Sequence, residues 1–313
     1  MPLRPCLISA LAPLTLLALT FPLGCSPPRA ESPAETHAAH VGGSRPVVVL
    51  ETDFGSHEDA PAILKGVVLS IARDAAVIDL THDIPPFDVE TGAQDLEDAP
   101  GVFPEGTVFV AVIDPGVGTS RKGIAVLLAN GRYLVGPDNG VLSLAMERWG
   151  VKAVREITNP AFQREHHSET FHGRDVFSPA GAHLALGSPA FATIGPEQKD
   201  WVKLPADKVE RAGETLHAVV AKIDEPYGNV WTNVRHEDLA PVGALPAGTR
   251  LRFLVGEKAV VVPLVATFGA VKEGDPLAYW NSRGRLSLAL NMGNAAKAYG
   301  AKRGDKVTVS VER

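Results

Sequence analysis

Two aspartates and an arginine stand where predicted strands end. Asp53 follows the first apolar run in Thr52-Asp53-Phe54-Gly55, and Asp114 follows a later one, with Arg121 seven residues on. In an open α/β sheet, ligands bind beyond the carboxyl ends of the strands, so the two carboxylates are candidate ligand contacts. The alternative is that each aspartate only caps a turn or a helix.

Two further clusters are weaker signals. Gly116-Val117-Gly118 lacks the full glycine spacing of a dinucleotide-binding loop. The histidines His166, His167 and His172 are close in sequence and could hold a metal, but they lack the helical spacing of a zinc protease motif. A solvated histidine-bearing loop is the simpler interpretation. A metal-dependent hydrolase is kept as an alternative that chelator sensitivity would reveal.

Strands and helices alternate up to about residue 203, where the pattern changes to short strands. The predicted strands are Val47–Leu50, Ala76–Leu80, Thr107–Ile113, Ile124–Leu128 and Tyr133–Val135, the last two forming a hairpin at Asn130-Gly131. The predicted helices are Ala60–Arg73, Val89–Asp98, Val141–Trp149 and Val176–Leu186. This order predicts an α/β domain over residues 46–203 with a largely parallel sheet.

Short strands separated by glycine and proline fill residues 204–313. They are predicted at His217–Ile223, Val230–Asn233, Arg250–Leu254, Ala259–Val265, Leu286–Leu290 and Val307–Val311. This spacing is typical of a small β domain, a barrel or a sandwich.

The composition of the 313 residues limits the possible functions. With 45% apolar residues and a formal charge of −6, the chain can build a sizeable core and has no basic excess for nucleic-acid binding. Cys6 and Cys25 are the only cysteines. The predicted domains therefore contain no disulfide, cysteine metal site or cysteine nucleophile.

The first 45 residues have the character of a processing and tether segment. Arg4 precedes a short apolar stretch, which predicts a signal peptide over residues 1–25. Leu23-Gly24-Cys25 resembles a bacterial lipobox, so we expect lipidation of Cys25. Residues 26–45 are then a flexible tether. We expect the protein to lie outside the cytoplasm, as a membrane-anchored lipoprotein in the periplasm or at the cell surface. The alternative is an ordinary signal peptide cut nearby.

Several short motifs occur together in a fixed order. They are Thr52-Asp53-Phe54-Gly55, Asp79-Leu80-Thr81-His82, Phe103-Pro104-Glu105-Gly106-Thr107-Val108, Val112-Ile113-Asp114-Pro115-Gly116-Val117-Gly118-Thr119, Pro137-Asp138-Asn139-Gly140 and Thr170-Phe171-His172-Gly173-Arg174-Asp175, and later Asp224-Glu225-Pro226-Tyr227-Gly228-Asn229-Val230-Trp231-Thr232-Asn233 and Asn281-Ser282-Arg283-Gly284. Together they resemble the S-adenosyl-L-methionine (SAM) hydroxide adenosyltransferases, relatives of fluorinase and chlorinase. The resemblance covers nearly all of the chain from Pro46.

The resemblance implies a fold, an assembly and a reaction. It implies an N-terminal α/β domain, a C-terminal β-barrel, and a homotrimer with each site between subunits. The implied reaction is hydrolysis of SAM to adenosine and L-methionine, by attack of water or hydroxide at the ribose 5′-carbon. SAM is the substrate, and no cofactor is implied. The hydrolases' Asp-Arg-His triad falls by motif on Asp114, Arg121 and His172.

The same resemblance implies substrate contacts. Asp53 would accept hydrogen bonds from the ribose hydroxyls, and Phe87 would line the ribose and methionine region. Tyr227 would stack on adenine, and Asn229 would form a hydrogen bond with the edge of the adenine ring. The methionine amino and carboxylate groups would be held by Asp224, Ser282 and Arg283.

Departures from the family pattern, and two alternatives, accompany this hypothesis. Glu58 and Ala60 stand where fluorinase has aspartate and serine, and Leu290 and Met292 replace an arginine and an alanine near the adenine. One alternative is a SAM-dependent halogenase of the chlorinase kind. The other is an exported SAM- or nucleoside-binding protein without turnover.

Overall fold

The computed structural model describes residues 45–205, 208–239 and 245–312. The predicted signal peptide, Cys25 and all but the last residue of the predicted tether lie outside these residues. Within the described ranges, no helix combines the length and apolar character needed to cross a bilayer.

The first sheet has six strands, and its strand order places β1 beside β3, so that a ligand site can form where both strands end. The strands are β1 (Val47–Thr52), β2 (Ala76–Thr81), β3 (Val108–Val112), β4 (Gly123–Leu128), β5 (Tyr133–Pro137) and β6 (Val151–Glu156). They lie in the order β2-β1-β3-β5-β4-β6. The β2, β1, β3 and β5 strands are parallel, whereas β4 pairs antiparallel with both β5 and β6. The predicted largely parallel sheet is thus confirmed.

Helices cover both faces of this sheet because its strands are apolar on both sides. They are α1 (Ala60–Ile71), α2 (Val89–Leu96), α3 (Ser143–Trp149) and α4 (Ser178–Leu186). Alternate residues of β1 show the division. Val48 and Leu50 pack with residues of α1 and α4, whereas Val49 packs with residues of α2 and α3. Burial on both faces is the usual state of parallel strands.

The second sheet curls into a nearly closed antiparallel barrel. Its strands are β7 (Glu210–Ala212), β8 (Thr215–Asp224), β9 (Asn229–Arg235), β10 (Arg250–Val255), β11 (Lys258–Pro263), β12 (Pro276–Trp280), β13 (Arg285–Leu290) and β14 (Lys306–Val311). The order is β11-β10-β14-β8-β9-β13-β12, with β7 added beside β8. The ends approach through Leu264 and Ala278, and Val265 N–H donates to the Ala278 carbonyl at 2.8 Å. Two short helices, α5 (His236–Leu239) and α6 (Ala295–Tyr299), complete the barrel half.

Ion pairs join the barrel to α2 and the turn after it. Asp95 pairs with Lys222 of β8, and Glu97 pairs with Arg235 of β9 at 2.5 Å and with Arg285 of β13. The acidic face of α2 thereby fixes the barrel beside the first sheet. The predicted division between residues 203 and 204 falls between the last strand of the first sheet and the first strand of the second.

Candidate active site

A cavity of about 250 Å³ opens where β1 and β3 end. Its polar lining side chains are Asp53, Asp114, Thr170 and His172, and its aromatic ones are Phe54, Phe87 and Phe171. The two strand-end aspartates therefore share one cavity. A pocket with apolar walls and a few convergent polar groups is the usual form of a small-molecule site.

Arg121 joins Asp114 to His172. Its Nε donates to Asp114 Oδ1 at 2.9 Å, its Nη2 also contacts Asp114 Oδ2, and Nη2 donates to His172 Nδ1 at 2.7 Å. The Arg121 side chain is only 11% exposed and that of Asp114 only 5%. The guanidinium also lies 5.1 Å from the ring centroid of Phe177. The three side chains that the family resemblance grouped are thus in direct contact.

Glycines in the turn after β3 allow this contact. A side chain at Gly116 would approach Arg121 Cγ to 3.1 Å. Gly118 has a φ of +74°, and a Cβ there would lie 2.7 Å from the carbonyl oxygen of Glu169. The turn therefore packs directly against the loop that carries His172. Close backbone approach explains these glycines, without any nucleotide phosphate.

A π-helical turn, Gly173–Phe177, fixes His172 at its start. Gly173 packs against β3 and α1, because a Cβ there would meet Val112 at 3.3 Å and Leu64 at 3.5 Å. Such turns in helices are frequent at functional sites. The predicted helix Val176–Leu186 is in fact this turn followed by α4.

The contact with Arg121 determines the protonation state of His172. A guanidinium has only N–H donors, so Nδ1 must be the acceptor and the imidazole proton must lie on Nε2. Partial burial and the Arg121 charge also lower the pKa of His172 below its usual 6.5, against the opposing effect of Asp114. His172 is therefore a neutral imidazole near pH 7, with an N–H donor on its free nitrogen.

Asp53 is held by the backbone on the other side of the cavity. Its Oδ2 accepts from Phe87 N–H at 2.9 Å. Phe87 has a φ of 68°, and the residue is 71% exposed at the cavity wall. Behind Asp53, the hydroxyl of Thr52 is 2.8 Å from Nδ1 of the buried His82, whose Nε2 is 3.0 Å from Asp79.

The predicted contacts from the barrel half lie elsewhere. Asn229 donates to Asp224 at 2.9 Å where β8 turns into β9, and Tyr227 in that turn is 67% exposed. Arg283 donates to the Gln94 carbonyl at 2.9 Å, and it follows Ser282 in the turn between β12 and β13. Every residue that lines the cavity belongs to the N-terminal half. Among the described residues, the chain thus brings Asp53, Phe87 and the triad together at the cavity. It does not bring there the predicted barrel contacts, which are Asp224, Tyr227, Asn229, Ser282 and Arg283.

Two features of the site region were absent from the sequence expectations. Pro86, Val117 and Thr170 also line the cavity. Glu51, two residues before Asp53, is 1% exposed, and its carboxylate oxygens have no hydrogen-bond partner among the described residues. The sequence does carry a signal for Glu51, because it is an acidic residue at an inward position of an otherwise apolar strand.

No metal centre accompanies the site in the described part of the chain. Those residues contain no group of three or more histidine, cysteine, aspartate or glutamate side chains placed to hold an ion.

The fold and the site define a class of two-domain proteins. Its members join a mostly parallel α/β sheet to a nearly closed barrel and have a cavity at the strand ends. The family models described as the SAM hydroxide adenosyltransferase N-terminal and C-terminal domains match residues 48–195 and 218–308. The chain belongs to the SAM hydroxide adenosyltransferase family.

Named relatives and a solved structure are similar over most of the chain. An (R)-S-adenosyl-L-methionine hydrolase of Salinispora arenicola is 39% identical over 270 residues, covering 85% of this chain and 98% of the relative. A fluorinase of Nocardia brasiliensis is 33% identical over 302 residues, covering 86% and 98%. The crystal structure of an uncharacterized conserved protein from Thermotoga maritima is 36% identical, with a TM-score of 0.80, covering 84% of this chain and 99% of that chain.

Proposed function

We propose that this protein hydrolyses SAM to adenosine and L-methionine by attack of water or hydroxide at the ribose 5′-carbon. The observation that carries the proposal is the Arg121 side chain, bonded at once to Asp114 and to His172 beside the cavity. The relatives named as (R)-S-adenosyl-L-methionine hydrolases, at up to 39% identity, support the same reaction.

The chemistry requires help at the nucleophile and none at the leaving group. The sulfonium of SAM departs as a neutral thioether, so no general acid is needed. Water is a poor nucleophile and must be held in line with the breaking bond from carbon to sulfur. Such positioning contributes up to about 7–11 kcal/mol in favourable cases.

The triad offers a donor, a fixed positive charge and a base. In our proposal the Nε2–H of His172 donates to the oxygen of the attacking water and aligns it. Arg121 holds the Asp114 carboxylate and the His172 ring in place around that water. As the bond from oxygen to carbon forms, the water becomes strongly acidic. Asp114 takes its proton, because an ionised carboxylate has about four acceptor positions and Arg121 does not fill them all.

Halide attack is the alternative that the fluorinase relatives raise. Asp114 neutralises Arg121, so among the described residues no unpaired lysine or arginine lines the cavity to face a halide. This pairing favours a neutral water molecule over chloride.

We also propose that a second copy completes the site. The described residues that line the cavity all belong to the N-terminal half, and Tyr227 is exposed on the barrel half. Docking of a neighbouring barrel would bring Tyr227, Asn229 and their neighbours to the open cavity. A homotrimer, which the family resemblance implies, is the assembly we propose.

The proposed location rests on sequence alone. We propose export and lipidation at Cys25, which would tether the enzyme to a membrane. Metabolic labelling with a radioactive fatty acid should mark the wild-type chain and not Cys25→Ser.

Product analysis tests the proposed reaction. Residues 46–313 are incubated with SAM in halide-free buffer and in chloride, and the products are separated by chromatography. Adenosine and methionine in equal amounts, independent of chloride, are the expected result. A halogenated adenosine formed only with chloride would move the assignment to a halogenase. Tight binding of SAM without any product would favour a binding protein.

A further inference from the structure

A cation of the barrel half contacts the start of α2, beside the cavity wall. Arg303 Nη1 donates to Asp88 Oδ2 at 2.8 Å, and Nη2 donates to Asp88 Oδ1 at 3.1 Å. The same guanidinium also contacts the Thr91 hydroxyl and lies 3.5 Å from Glu90. Two parallel hydrogen bonds fix the orientation of a carboxylate as well as its position.

Arg303 is carried on a turn that is fixed to the barrel wall. Gly304 N–H donates to the Val220 carbonyl, and Val220 N–H donates to the Asp305 carbonyl, each at 2.8 Å. Asp305 also accepts from the backbone N–H of Lys302 at 2.8 Å. The guanidinium therefore starts from a rigid base on β8.

Asp88 transmits this position to the cavity. Its carboxylate caps α2 by accepting from Thr91 N–H at 3.0 Å. The preceding residue, Phe87, has a φ of 68°, which a bulky side chain adopts only when its surroundings hold it there. In this conformation Phe87 N–H reaches Asp53 at 2.9 Å, and the ring lies at the cavity wall.

We propose that Arg303 is a positioning residue for substrate binding, acting through Asp88 and Phe87 on Asp53. The inference rests on the proposed function, because it assigns Asp53 and Phe87 to the bound SAM. Without the guanidinium, Asp88 keeps its bonds to Thr91 but loses the bidentate contact that fixes its orientation. Phe87 then relaxes toward an ordinary φ, and its N–H leaves Asp53. The triad lies on the turn after β3 and on the His172 loop, outside this chain of contacts. The effect therefore falls on binding of substrate and spares the chemical step.

Kinetics with a matched control test the proposal. Arg303→Met should raise the KM for SAM about tenfold while kcat stays within about twofold. Arg303→Lys should recover only part of the loss, because an ammonium cannot make the bidentate contact. The control is Lys302→Met, which removes the same charge from the same turn at an exposed neighbour, and it should leave both constants unchanged.

Hydrogen exchange without substrate separates failure of this inference from failure of the proposed function. In Arg303→Met, the Phe87 amide should exchange about tenfold faster than in the wild type, with no such change in Lys302→Met. If the wild-type protein did not turn over SAM, the proposed function would be wrong. The exchange of the Phe87 amide would still test the role of Arg303. Unchanged KM and exchange in Arg303→Met would overturn the inference. A fall in kcat as large as the rise in KM, together with a lowered Tm, would also overturn the inference, since it would indicate general destabilisation.

Discussion

The contact of His172 with Arg121 makes this histidine a hydrogen-bond donor toward the cavity, and not a base. The Nδ1 lone pair is occupied by the guanidinium, and the remaining nitrogen carries the proton. Glutamine can place an N–H donor near the position of Nε2, whereas alanine cannot. The two substitutions therefore distinguish a donor from a base.

His172→Ala should lower kcat roughly a hundredfold to a thousandfold, the usual cost of removing an oriented donor. His172→Gln should retain at least about tenfold more activity than His172→Ala, because it keeps a donor. Steady-state rates of adenosine formation check both values. Equal inactivity of the two variants would show that His172 acts as a base.

The pH dependence of the reaction follows from the same neutral imidazole. Burial and Arg121 lower the pKa of His172 below 6.5, so the neutral form persists to a lower pH than for a free histidine. Protonation would place an N–H on Nδ1 against the guanidinium and break their contact. Activity should therefore be lost as pH falls through a midpoint below 6.5. A profile of kcat/KM against pH measures this midpoint, and a value above 7 would contradict the lowered pKa.

At the scale of single elements, β1 contains the least expected residue of the fold. Glu51 is completely buried beneath α2, and burial followed by the charge of Asp95 raises its pKa well above the usual 4.5. Glu51 is thus protonated in the folded state and ionised in the unfolded state over a range of pH that begins near 4.5. The unfolded state binds fewer protons there, so stability falls as pH rises.

Glu51→Gln should remove this pH dependence. Relative to the variant, the wild type should lose about 1.4 kcal/mol of unfolding free energy per pH unit between about 4.5 and the raised pKa. Urea unfolding at several pH values measures the difference in unfolding free energy, and its slope with pH should flatten below about pH 4. Glu257→Gln, at an exposed turn of the barrel, is the matched control and should show no such trend. Parallel pH profiles for wild type and Glu51→Gln would refute the assignment.

Most elements could be predicted from their patterns, and the exceptions have physical causes. The apolar run at β3 and the Asn130-Gly131 hairpin were confirmed, because burial on two faces and a tight turn both leave strong local signals. The β12 strand was missed, since it begins at Pro276 and follows a loop with its own turn residues. The β6 strand was missed because it is an edge strand with polar residues between its apolar ones.

The sequence selected several side chains that share the cavity, but it did not predict their geometry. Strand-end position and family motifs both selected Asp53 and Asp114. The contact of Arg121 with His172 joins residues 51 apart in sequence, so it depends on packing that no local pattern encodes. The bond from Phe87 N–H to Asp53 depends on a left-handed phenylalanine, which sequence rules do not anticipate.

At the scale of the whole molecule, ion pairs on α2 and the turn after it join the two halves of the chain, and no described barrel residue lines the cavity. The proposed assembly therefore predicts complementation between defective subunits. His172→Ala spoils the N-terminal half of a site, and Tyr227→Ala spoils the barrel half. In a random equal mixture, about one quarter of sites formed between subunits would combine two intact halves.

Mixed His172→Ala and Tyr227→Ala subunits, after exchange, should regain about a quarter of wild-type activity. A mixture of His172→Ala with Asp114→Asn should regain none, because both changes lie in the same half. Adenosine formation before and after subunit exchange is the measurement. Activity equal to the mean of the separate variants would place the whole site within one subunit.

The central claim is that water attacks the ribose 5′-carbon of SAM in this cavity. Turnover in water enriched in oxygen-18, followed by mass spectrometry of both products, tests it most directly. We predict one heavy oxygen in the 5′-hydroxyl of adenosine and none in methionine, with the rate of labelling roughly a hundredfold to a thousandfold lower in His172→Ala. Heavy oxygen in the amino-acid product, or adenosine without label, would contradict the claim.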